Sequence, residues 1–155
     1  MKKKHKKLVN QDPPNEVISE LVSLHTSGRT RQALEKVVEF INQYPHSLFL
    51  YNFWGAINTA LGNYDTAIEN YKHAITIEPG LPQTYYNMGN AFNDMGDPSA
   101  AIKTYKKAIE IKPNYAEVYN NMGVIQKDTD SIEASIDSYR KAIEINSNYA
   151  EAHYN

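Results

Sequence analysis

Apolar positions along this chain recur with helical spacing. Tyr85, Met88, Gly89 and Phe92 fall at i, i+3, i+4 and i+7, which places them on one helical stripe. A second stripe follows in Ala101, Ile102, Tyr105, Ala108 and Ile109. Between the two lies Met95-Gly96-Asp97-Pro98. Gly96 suits a left-handed helix stop, Asp97 a cap, and Pro98 the first turn of a new helix. The next break is Lys112-Pro113-Asn114, where proline cannot continue a helix and Asn114 is placed to cap the following one. The pattern therefore predicts helix, tight turn, helix, turn.

This unit repeats at one period. Gly55, Gly89 and Gly123 are 34 residues apart, as are Tyr51, Tyr85 and Tyr119, then Tyr71, Tyr105 and Tyr139, and Ala74, Ala108 and Ala142. Pro45, Pro79 and Pro113 keep the same step, and so do Gly28, Gly62 and Gly96. A glycine inside a helix costs about 1 kcal/mol against alanine. Glycine at one helical register in three repeats must therefore gain something, and close approach of the paired helix is the expected gain. The tyrosines, 12 against 4 phenylalanines and 1 tryptophan, are expected to fill the remaining gaps.

Tyr85, Met88-Gly89, Phe92, Ala101, Tyr105, Ala108 and Pro113 together resemble the signature of the tetratricopeptide repeat family. The preceding repeat departs from it only at Asn58, and the following one at Gln126, Ser135 and Ser147. The resemblance covers roughly residues 14–155. It implies an all-α fold, a right-handed superhelical solenoid of antiparallel helix pairs. The repeats run at about 14–47 (divergent), 48–81, 82–115 and 116–149, with a partial fifth at 150–155, behind a disordered basic tail at 1–13. A divergent first repeat is expected where a solenoid is capped. Tyr149 to Asn155 matches Tyr115 to Asn121 and stops mid-helix, so the chain reads as a fragment of a longer protein. The uncapped C-terminal end is expected to fray or self-associate.

Charge narrows the partners. The net value of −2 hides a basic tail of Lys2, Lys3, Lys4, Lys6 and Lys7. The remainder carries 11 basic against 18 acidic residues, a net of −7. An acidic body is a poor nucleic-acid binder, because phosphate neutralisation needs a basic surface. There are no cysteines, so disulfide and thiolate chemistry are excluded. No apolar run approaches the ~20 residues of a membrane span, and no secretory signal follows the lysines. A cytoplasmic protein that binds neither nucleic acid nor membrane is the expectation.

Catalytic constellations are not apparent. His5, His25, His46, His73 and His153 pair with no residue at ligand spacing and read as solvated surface histidines. Lys106–Glu110 and Arg140–Glu144 read as exposed i,i+4 ion pairs. The glycines do not form a phosphate loop, and no serine or threonine sits in a nucleophile elbow. The chain is expected to be no enzyme and to need no metal or cofactor.

What remains is the face that, in the resembled family, the first helix of each repeat turns inward. Carried over by position, it includes Phe49, Asn52, Phe53 and Ala56, then Gln83, Tyr86, Asn87, Asn90 and Asn93. Glu117, Asn120, Asn121, Val124 and Lys127 follow, and Tyr154 and Asn155 begin another repeat. Asparagine is a poor helix former, so its enrichment on helices calls for a reason. Each amide offers two donors and an acceptor, and a row of them can grip a peptide backbone, with aromatic anchors beside it. The alternative is that the asparagines tie helix to helix. Asn87, Asn121 and Asn155 form a ladder similar to that of O-linked N-acetylglucosamine transferases, broken at Phe53. Lysine and arginine clamps for C-terminal carboxylates, known in another subtype, are represented only by Lys127. Two functions follow: a scaffold that holds a peptide or protein segment in a concave groove, or the substrate-recruiting arm of a larger glycosyltransferase or sulfotransferase.

Overall fold

A computed structural model describes residues 11–147. Among the described residues all regular structure is helical: α1 (Asn15–Thr26), α2 (Thr30–Gln43), α3 (Leu48–Ala60), α4 (Tyr64–Ile77), α5 (Pro82–Met95), α6 (Pro98–Ile111), α7 (Ala116–Asp128) and α8 (Ile132–Ile145). The chain divides into two compact units between Gly80 and Leu81. In the first, α1 packs on α2, α2 on α3 and α3 on α4. In the second, α5 packs on α6, α6 on α7 and α7 on α8. Each unit is therefore two helical hairpins stacked side by side.

Local chemistry sets the turns. Gly28, Gly62 and Gly96 all adopt positive φ, at 79°, 76° and 87°. Asp130 holds the equivalent place in the last hairpin at φ 58°, a conformation that costs a residue with a Cβ. Asp97 caps α6, its Oδ1 accepting from the Ala100 N–H at 2.9 Å, and Pro98 opens the helix. Asn114 does not cap α7, contrary to expectation. The helix starts at Ala116, and the flanking position belongs to Tyr115, whose side chain is drawn into the core.

The start of α3 is capped twice. The Ser47 hydroxyl accepts from the Leu50 N–H at 3.0 Å and donates to Asp12 Oδ1 at 2.6 Å. The same carboxylate oxygen accepts from the Phe49 N–H at 2.9 Å, which suits the positive end of a helix. Pro13 is buried, and the Gln11 N–H donates to the His46 carbonyl. Residues 11–13, assigned by the sequence to the tail, are thus packed onto α3. The basic residues of the tail, and the partial fifth repeat with His153, Tyr154 and Asn155, lie outside the described residues.

The helix–helix contacts explain the glycine ladder. A Cβ on Gly55 would stand 2.6 Å from the Tyr71 ring, and one on Gly123 2.6 Å from the Tyr139 ring. Gly89 meets the Tyr105 ring still more closely. In each hairpin the glycine of the first helix is a seat for the tyrosine of the second. Tyr71 and Tyr105 are among the largest fully buried side chains. Where the family's aromatic is missing, polar groups close the gap. Buried Asn58 donates to the Trp54 carbonyl at 2.9 Å and takes a bond from Asn63, while Gln126 shares a 2.7 Å hydrogen bond with Ser138 Oγ.

The exposed ion pairs differ from those expected. Glu110 pairs with Lys107 at 2.7 Å, Glu144 with Lys141 at 3.0 Å, and Arg140 with Asp137 at 2.8 Å, all at i,i+3. Pairs so exposed contribute little to stability, because water screens them. His25 and His46 are half-buried rather than solvated; His25 meets Phe53 edge-on at 5.8 Å. His73 is exposed but stacks on Tyr51.

Candidate functional site: an amide and tyrosine network on α5 and α7

The residues singled out from the sequence separate into three groups. In the first unit, Phe49 and Phe53 stack with centroids 5.3 Å apart and planes within 14°. Both are half-buried against the core built on Leu21, Leu24 and Leu50. Asn52 turns its amide onto the Leu48 carbonyl of its own helix at 3.0 Å. Its carbonyl oxygen is closed off from solvent, so Asn52 offers little to a ligand.

In the second unit the amides converge. Asn121 Nδ2 donates to Asn90 Oδ1 at 3.2 Å and reaches the Tyr86 hydroxyl at 3.5 Å, linking α7 to α5. The Tyr105 hydroxyl of α6 donates to the same Asn90 oxygen. Beside this, Gln83 Nε2 donates to Asn87 Oδ1 at 3.0 Å, and the Tyr115 hydroxyl donates to Gln83 Oε1. Tyr86 packs between Tyr105 and Tyr115, at 6.1 and 5.4 Å between centroids. Burial pushes the Tyr105 hydroxyl up to about 12, and Tyr86 and Asp94 add to the shift. Tyr115 is also pushed up to about 12, by burial first and then by Tyr86 and Glu117. Both hydroxyls therefore remain protonated donors at neutral pH.

A cavity of about 300 Å³ opens beside this network, lined by Asn90, Asn93, Asp94, Tyr105, Asn121 and Val124. The alternative reading of the asparagines is therefore partly right: Asn90 and Asn121 do tie helices together. Their bonds use the Asn90 carbonyl and the Asn121 amide. The Asn90 amide and the Asn121 carbonyl take no part in those bonds.

Two further residues stand apart from this network. Asn120 is only 3% exposed, because adjacent helical residues point about 100° apart and Asn121 holds the open side. Lys127 is exposed, but six positions beyond Asn121 it has rotated away from the amides. It borders a different cleft of about 530 Å³, with Ile132, Ile136, Tyr139 and Ile143. The sequence reading missed the tyrosine hydroxyls, taken there as filler, and it missed Asp94. A signal for Asp94 existed: it lies one turn beyond Asn90 and 34 residues before Asp128. Among the described residues no cluster of three or more His, Asp or Glu could hold a metal ion. None of the described helices is long and apolar enough to cross a membrane.

Hairpins of this kind, seated glycine on tyrosine at a 34-residue period, define a class of helical-repeat protein. Residues 55–96 and 89–130 match the TPR repeat, and residues 116–149 match the tetratricopeptide repeat. The chain belongs to the tetratricopeptide repeat family. It is 36% identical over 72 residues to the photosystem I assembly protein Ycf3 of Dioscorea elephantipes, across 44% of this chain and 41% of that protein. It is 24% identical over 83 residues to the probable biofilm formation methyltransferase WspC of Pseudomonas putida, across 54% of this chain and 20% of that one. The chain thus spans less than half the length of either relative. Among solved structures it is similar to MamA of Desulfovibrio magneticus, with a TM-score of 0.80 at 16% identity over 88% of this chain and 77% of that one. The first TPR of Spaghetti (RPAP3), bound to the HSP90 peptide SRMEEVD, gives 0.65 at 20% identity over 69% and 85%.

Proposed function

We propose that this chain is a non-catalytic scaffold that holds an extended polypeptide segment on the α5–α7 face of its second unit. The observation that carries this reading is the network of Asn90, Asn121 and Tyr105 beside an open polar cavity. Side-chain amides stand there on two neighbouring helices, and each can offer a donor and an acceptor to a peptide backbone. Asn87 and Asn93 extend the amide row along α5, and Tyr86 supplies an aromatic flank. The stacked Phe49 and Phe53 are a separate apolar contact on the first unit. The peptide seen in the Spaghetti structure supports the mode of binding, not the ligand. Substitution of Asn90 and Asn121 by alanine tests the idea, with a randomised peptide library as probe and circular dichroism as the fold control. Recovery of the same peptides by the folded double variant would remove the cavity from the function.

The methyltransferase similarity favours a second reading, in which the chain is the substrate-recruiting arm of a larger transferase. Its test is the coding sequence beyond residue 155, where a transferase domain is required. Self-association is the third property proposed. Helix α8 keeps Ile136 at the register of Ile102 in α6, and carries Ile132 where α6 has Pro98, but the two are 50% and 52% exposed. In α6 the equivalent of Ile136, Ile102, is packed into the cluster holding Val118 and Met122 of α7. We assign the α8 cleft to contact with a second copy of the chain.

A further inference from the structure

We propose that the segment held on the α5–α7 face is basic, and that it places a lysine or arginine side chain in the cavity against the Asp94 carboxylate. This rests on the peptide-holding reading above and names its ligand.

The lining is almost entirely neutral. Asn90, Asn93 and Asn121 are amides, Tyr105 stays protonated, and Val124 and Ile125 are apolar. Among the described residues Asp94 is the one acidic side chain in the lining, and no basic one lines it. It is exposed, so its charge is kept in water until a ligand arrives. One turn of α5 separates it from Asn90, whose amide would hold the ligand backbone. A side chain leaving that backbone toward the end of α5 would meet the carboxylate. The position is repeated: Asp128 stands 34 residues on, one turn beyond Val124 on the stripe of α7 that carries Asn121.

Electrostatics on this face point the same way. Asp94 acts on Tyr105 and Glu117 on Tyr115, each opposing ionisation of a hydroxyl in this network. Lys127, the cation expected to serve it, borders the α8 cleft instead. Lys112 lies over the Tyr115 ring, 4.3 Å from its centroid, and does not line the cavity. An acidic ligand would bring its charge against Asp94 with no lining cation to offset it. A basic one gains a charge-assisted hydrogen bond, bidentate for arginine.

The test is a selection from a randomised twelve-residue peptide library on the immobilised chain, in parallel with D94N. D65N, which removes an exposed charge from the first turn of α4, serves as the control for net charge. The expected result is enrichment of Lys and Arg over Gln at one position, about fivefold or more, with depletion of Asp and Glu. D94N should abolish that enrichment and D65N should keep it. Selected peptides should bind more weakly as salt rises from about 0.05 to about 0.5 M, because partly exposed charges are screened. Binders without basic enrichment, or enrichment that survives D94N, would overturn the inference while leaving the peptide-holding reading intact. Binders taken equally well by the Asn90 and Asn121 double variant would overturn that reading as well.

Discussion

Gly89→Ala should destabilise the protein, although alanine is the better helix former. The added Cβ would sit 2.5 Å from Tyr105 Cδ1 and closer still to Cε1. Carbon atoms in contact prefer about 3.5–4.0 Å, so the overlap is roughly 1 Å or more. The ring cannot yield: Tyr105 is 1% exposed and its hydroxyl is held by Asn90. Helices α5 and α6 must separate instead. Overpacking of a filled core costs about 1–3 kcal/mol, against about 1 kcal/mol gained in helix propensity. The net loss is up to about 2 kcal/mol, or a drop in Tm of up to roughly 8 °C for a chain of this size. Removing the ring reverses the sign. In a Tyr105→Ala background the same Gly89→Ala change should stabilise by up to about 1 kcal/mol, because only propensity remains. Urea unfolding followed by circular dichroism at 222 nm would measure both arms of the cycle. The pair Gly123 and Tyr139 repeats it in the last hairpin. A Gly89→Ala effect of the same sign in both backgrounds would refute the seat-and-ring account. Gly89→Leu, with a far larger overlap, should unfold its hairpin.

Asp130→Gly should stabilise by about 1 kcal/mol or slightly less, since it relieves a positive φ of 58° that glycine occupies in the other three turns; an unchanged urea midpoint would show that the turn carries no strain. Tyr105 and Tyr115 are raised from 10.0 to about 12 in the folded state, so their contribution to stability is whole below pH 10 and lost as pH rises toward 12. Absorbance at 295 nm should show a late tyrosine fraction with a midpoint near pH 12 while the fold persists, and its absence would contradict the burial of these hydroxyls. Ile132→Lys with Ile136→Lys should lower self-association in sedimentation equilibrium without loss of helix; wild-type mass that stays monomeric at all concentrations would clear the α8 cleft of that role.

The period, the helix pairs and most of their turns were legible in the amino-acid sequence, the Asn114 cap of α7 being the exception. Gly96, Asp97 and Pro98 announce a helix stop, a cap and a helix start because each acts on backbone within a few residues of itself. Even the need for a close neighbour at Gly55, Gly89 and Gly123 was legible, since glycine inside a helix is costly without one. The identity of that neighbour was not. That Tyr105 seats on Gly89, and that its hydroxyl then reaches Asn90, depends on the approach of two helices, which no local rule encodes. The same holds for the inner face. Register placed Asn120 and Asn121 together on one list, but helical rotation and the packing of α7 buried the first and opened the second. Lys127 was carried away from the amides by six residues of turn. Asp12 looked like tail until it capped α3 from 35 residues away. Sequence determines what is settled by neighbours along the chain. Which amides stay free, and which carboxylate shares their cavity, is decided only when helices meet, because hydrogen bonds and burial depend on distances that the tertiary structure sets.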